Sequence, residues 1–123
     1  MKREKEGYRK LEVWQKAQDL AFKVYIATKG FPREEVYGLT SQMRRAAVSV
    51  IANLAEGYAH KSEAEKKRFY EIANCSLTEL ECYIDFVFEK LNYIDEGPYL
   101  NLVALRDEVG RMLNGLLKSV SAH

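Results

Sequence analysis

Apolar residues along this chain return every three or four positions, and they do so in four separate stretches. The first runs through Leu11, Trp14, Ala17, Ala21, Val24, Tyr25 and Thr28, and the second through Met43, Ala46, Ala47, Val50, Ile51 and Leu54. The third holds Phe69, Ile72, Ala73, Leu80, Ile84, Val87, Phe88 and Leu91. The fourth holds Leu102, Leu105, Val109, Met112, Leu113, Leu116 and Val120. That spacing belongs to amphipathic helices. No stretch alternates with period two, and no Asn-Gly or Asp-Gly dipeptide offers a hairpin turn.

Breaks in the pattern divide the helices. Gly30-Phe31-Pro32 closes the first, Gly38 opens the second, Gly57 lies near its end, and Gly97-Pro98 precedes the fourth. Ser62 with Glu65 reads as a capping box at the start of the third. Pro98 suits a first helical turn, where its missing N–H costs nothing. The expected helices are about 8–29, 39–58, 62–93 and 98–119. Short connections make neighbours antiparallel, so the expected fold is all-α, an antiparallel up-down-up-down four-helix bundle. Residues 1–123 make a single domain of this kind.

A helical wheel sharpens one feature of the second helix. Gln42, Arg45, Ser49, Asn53 and Glu56 share an arc of about 80° at ~100° per residue, beside the apolar arc. A solvated face is usually richer in Lys and Glu, so this stripe suits either an interhelical network or a binding face. Ser76 and Glu79 on the third helix offer partners for it. If Arg45 is partly buried it needs a carboxylate, and Glu79 or Glu56 is the expected one.

Composition then narrows the function. Lys and Arg number 19 against 18 Asp and Glu, a net charge of +1, so no strong basic excess announces nucleic acid. The distribution is less even: residues 1–30 hold 8 basic against 4 acidic residues. Lys2, Arg3, Lys5, Arg9 and Lys10 form one basic cluster, and Lys61, Lys66, Lys67 and Arg68 another. With Arg44 and Arg45 these are the candidate nucleic-acid contacts. No apolar run approaches the roughly 20 residues of a membrane span, and no signal-type segment follows the charged start, so a cytoplasmic protein is expected.

Catalytic constellations are missing from the sequence. His60 and His123 are its histidines, and neither has metal ligands at zinc spacing. Phosphate-cradling glycine loops and paired Glu-x-x-His motifs are absent. Cys75 and Cys82, seven apart on one helix, lie about 10 Å apart along its axis, beyond disulfide reach. A thiol enzyme needs one of them beside His60, and nothing in the spacing sets that. The expectation is a non-enzyme with no metal or cofactor.

Residues 41–58, Ser-Gln-Met-Arg-Arg-Ala-Ala-Val-Ser-Val-Ile-Ala-Asn-Leu-Ala-Glu-Gly-Tyr, closely resemble the signature of the 23S rRNA intervening sequence proteins, also labelled S23 ribosomal proteins. Leu11–Ala17, the turn Phe31-Pro32-x-x-Glu35 and Ala73–Glu81 resemble other parts of that family's pattern. Ile51 stands where many members have proline, Cys75 where a small residue is usual, and His60 where a basic residue is frequent. These departures imply a straighter second helix and a looser contact between the second and third.

The resemblance implies an up-down bundle that assembles as a homopentameric ring, and it brings no catalytic residues. A related branch, the accessory variability proteins of diversity-generating retroelements, binds nucleic acid and a reverse transcriptase. The expected function is therefore a non-enzymatic oligomeric module binding RNA, DNA or a nucleic-acid-processing protein. The alternative is a protein–protein scaffold or assembly adaptor that binds no nucleic acid.

Overall fold

A computed structural model describes residues 6–121 of the chain. Four helices carry the fold: α1 (Glu12–Thr28), α2 (Leu39–Ala59), α3 (Glu63–Glu89) and α4 (Glu96–Ser121). Short 3-10 turns at Gly7–Lys10 and Arg33–Glu35 flank α1, and the described residues hold no strand. Side-chain contacts set the direction of every neighbouring pair. Arg44, early in α2, meets Thr28 at the end of α1; Ser49 meets Ser76 across α2 and α3. Tyr99 and Arg106 of α4 meet Asp85 and Glu81 of α3, and Lys16 of α1 meets Glu108 of α4. Each pair runs antiparallel, and α4 closes on α1 to complete the expected bundle.

Helix ends differ from expectation at two points, each for a local reason. α1 starts at Glu12 rather than near residue 8. Gly7 takes φ +55°, a 3-10 turn follows, and extended Leu11 breaks the helical run. That turn is pinned to α1: Tyr8 packs on Trp14 with centroids 5.0 Å apart, and Gln15 Nε2 donates to the Arg9 carbonyl at 2.8 Å. α3 ends at Glu89 rather than 93, because Asn92 adopts φ +56°. Asn is one of the few side chains that tolerates this region. Around it Leu91 and Tyr93 donate their N–H groups back to the Phe86 and Val87 carbonyls.

The start of α2 is held by a carboxylate that the periodicity did not single out. Glu35 Oε1 accepts the Leu39 N–H at 3.2 Å, while Oε2 accepts the Tyr93 hydroxyl at 2.8 Å. Tyr93 also packs on Phe31, centroids 5.1 Å apart, so the α1–α2 and α3–α4 connections are tied together. At α3 only half of the expected capping box forms. Ser62 Oγ accepts the Glu65 N–H, but the Glu65 carboxylate turns to Arg68 instead.

The core joins all four helices. On α3 the buried set is Tyr70, Ala73, Leu77, Leu80, Ile84 and Val87, alternating spacings of three and four along one seam. Ala73, Leu80, Ile84 and Val87 of the expected stripe are buried, whereas Phe69 is only half-buried and Ile72 is exposed, each one position before the seam. Gly57 makes room for Tyr70 in that seam. A Cβ there would lie 2.5 Å from Tyr70 Cε1, so glycine admits the Tyr70 ring where any side chain would exclude it. On α1, Val13 and Leu20 join the core and Tyr25 stays partly in water. α2 runs unbroken through Ile51 from Leu39 to Ala59.

Candidate interaction surfaces

The polar stripe on α2 divides in two. Its inner half is an interhelical network. Ser49 and Ser76 hydroxyls lie 2.8 Å apart in a hydrogen bond, and Asn53 Nδ2 donates to the Ser49 carbonyl at 2.8 Å and hydroxyl at 3.1 Å. Its outer half faces water: Gln42, Arg45, Glu56 and Glu79 are exposed.

The expected ion pair of Arg45 with Glu79 or Glu56 does not form. No carboxylate lies within 4.0 Å of Arg45 among the described residues. Glu79 accepts the Tyr83 hydroxyl at 2.8 Å, and Glu56 sits 4.0 Å from His60 Nε2. The reason is solvation. Arg45 is exposed, so no desolvation cost demands a paired carboxylate. Arg45 and Glu79 nonetheless line one shallow depression with Ser49 and Ser76. It continues on one side past Val36 and Val48, and on the other toward Ile72 and Cys75.

Several basic candidates are engaged within the fold. Arg44 Nε donates to Thr28 Oγ1 at 2.8 Å and its guanidinium lies 4.6 Å from the Tyr25 ring centroid. The Thr28 hydroxyl in turn donates to the Val24 carbonyl at 2.8 Å, so Arg44 closes the C-terminal turn of α1. Lys66 acts likewise on α2, with Nζ 2.8 Å from the Tyr58 carbonyl oxygen and 3.3 Å from that of Gly57. Arg44→Met is therefore expected to lower stability by about 1–2 kcal/mol, a charge-assisted hydrogen bond lost at a half-buried position. Chemical denaturation reads that change directly.

The remaining candidates sit closer to water. Arg68 pairs with Glu65 at 3.2 Å and Arg9 lies over Trp14 at 5.5 Å. Lys10, Lys61 and Lys67 are exposed and enter no ion pair among the described residues. Lys2, Arg3 and Lys5 lie outside the described residues. The fold brings Arg9 and Lys10, the described members of the first cluster, to the same end as the second. The first 3-10 turn packs on α2, and counting from the Thr28–Arg44 contact carries Leu11 level with Lys61. Arg9 and Lys10 therefore lie at the same end of the bundle as the α2–α3 corner, on a turn that contacts α1 and α2 but not α3. That convergence follows from the up-down order.

Tyrosines elsewhere are held protonated. Burial raises the Tyr70 phenol above its ordinary range. Hydrogen bonds to Glu79, Glu35 and Asp85 raise those of Tyr83, Tyr93 and Tyr99. Among the described residues no group of three or more His, Cys, Asp or Glu is placed to hold a metal ion. His60 faces Glu56 and stacks on Phe69, while exposed Cys75 lies six residues, about 9 Å, farther along α3. No described helix is long and apolar enough to cross a membrane.

The family model for 23S rRNA-intervening sequence proteins matches residues 9–115. This chain belongs to that family. A crystal structure of an S23 ribosomal protein family member from Bacteroides thetaiotaomicron, described as of unknown function, superposes with a TM-score of 0.77. It is 20% identical, and the match covers 86% of this chain and 95% of that one. That likeness concerns the fold. No curated protein matches the chain. Within the family's pattern, Phe31 and Glu35 of the first turn both hold Tyr93, and Ser49, Asn53 and Ser76 form the α2–α3 network. These matched residues serve the bundle itself. Cys75, where the family pattern resembled in the sequence favours a small residue, is exposed, its side chain outside the buried seam.

Proposed function

We propose that this family member is a non-enzymatic, cytoplasmic, oligomeric module whose α2–α3 end binds RNA or DNA, or a protein that works on them. The feature that carries this reading is that Arg9 and Lys10, against α2, share one end of the bundle with Lys61, Lys67 and Arg68. Glu56, Glu63 and Glu65 share that end, so one protomer offers a modest field. Repetition around a ring multiplies it. Self-association into such a ring, with five copies, is part of the proposal. Large apolar side chains left in water support it, among them Val36, Val48, Ile72 and Phe86 at 48%, 39%, 37% and 46% exposure. The native mass of the intact assembly is expected at five times that of the chain; a monomer would refute the ring.

The same exposed apolar residues favour a second reading, a scaffold that grips only protein. Purification from native cells with and without nuclease separates the two. Partners lost on nuclease treatment support nucleic-acid binding, and partners retained support the scaffold.

A further inference from the structure

Cations alone are scarce at the α2–α3 corner, but aromatic faces are not. Tyr58 is 38% exposed and carries the Lys66 ammonium 5.4 Å from its ring centroid. Two residues on, the His60 ring lies parallel to Phe69, with centroids 4.8 Å apart and planes 12° from each other. His60 keeps 38% of its side chain in water. The Arg68 guanidinium stands 4.5 Å from the Phe69 centroid; Glu65 pairs with it, Glu56 lies near His60, and Glu71 lines one depression with Lys67 and Arg68. Unpaired Lys61 and Lys67 complete it.

We infer that this corner takes single-stranded nucleic acid, with bases stacking on Tyr58 and on the outer face of His60, which Phe69 backs, while Lys61, Lys67 and Arg68 hold the phosphates. The inference rests on the reading of this end as a nucleic-acid site. Sequence-independent duplex binding draws its affinity from phosphate neutralisation and needs many free cations. Here few are free. Stacking supplies affinity without further charge, but only to bases that are not already buried in a duplex. A duplex reader instead lays the side of a helix or a strand pair into the major groove. This corner presents helix ends and ring faces.

The experiment titrates the full-length assembly with a labelled 20-nucleotide RNA, the same sequence as DNA, and the matching duplex, all at low salt. Single strands of either sugar are expected to bind about tenfold more tightly than the duplex or better. Tyr58→Leu and His60→Leu, each checked for native helicity and melting, are expected to weaken single-strand binding by roughly fivefold to a hundredfold with the salt slope unchanged. Lys61→Gln is expected instead to flatten that slope by about 0.7. Duplex bound as tightly as single strand, or full affinity in both leucine variants, overturns the inference while nucleic-acid binding stands. No binding of any strand overturns both.

Discussion

Gly57→Ala is expected to destabilise the protein by about 2–3 kcal/mol and to lower its melting temperature by roughly 10 °C. Helix propensity alone predicts the opposite, since alanine gains up to about 1 kcal/mol over glycine inside a helix. Packing reverses the sign. The new Cβ would stand 2.5 Å from Cε1 and 2.7 Å from Cδ1 of Tyr70, a ring only 2% exposed within the α2–α3 seam. Tyr70 cannot swing into water without losing its burial, so α2 and α3 must separate at this end. The Lys66 contacts with the Gly57 and Tyr58 carbonyls would loosen with them. Adding Tyr70→Leu should cost less than the sum of the two single changes, because the smaller side chain relieves the clash. A neutral or stabilising Gly57→Ala would show that Tyr70 does not seat against this glycine.

The largest functional effect is expected from Lys61→Glu combined with Lys67→Glu. Both residues are exposed, and neither enters an ion pair among the described residues, so stability should change by about 0.5 kcal/mol or less. Nucleic-acid affinity, measured in about 50 mM salt, should fall roughly a hundredfold, since two phosphate contacts become two repulsions. Lys29→Glu with Lys90→Glu makes the same charge change at the opposite end of the bundle and should alter affinity less than about threefold. Equal losses in the two pairs would mean that net charge, rather than the α2–α3 corner, governs binding.

Most of the architecture was legible in the sequence because it depends on period and breaks. Four apolar stripes, Gly30-Phe31-Pro32, Gly38 and Gly97-Pro98 mark helices that the fold reproduces closely. What escaped depends on pairs distant in sequence. Adjacent apolar residues at 69–70 and 72–73 leave the start of α3 ambiguous, and the room for the Tyr70 ring comes from Gly57 on another helix. Asn92 carried the one local clue to the early end of α3. Arg44 and Lys66 looked free because the oxygens they bond, the Thr28 hydroxyl and the Tyr58 carbonyl, belong to other helices. Arg45 looked paired because its exposure was not visible on a wheel. For the candidate site, each basic cluster was legible singly. Their placement at one end, and the stacking of His60 on Phe69 beside the second of them, needed the fold.

The measurement that tests the account most directly is the salt dependence of nucleic-acid binding by the intact assembly. With contacts from Lys10, Lys61, Lys67 and Arg68, the logarithm of affinity should fall against the logarithm of salt with a slope of about −3. Binding should be evident near 50 mM salt and weakened more than tenfold by about 200 mM. No binding at the lower concentration, or binding indifferent to salt, would contradict the assignment of the α2–α3 end as a nucleic-acid site.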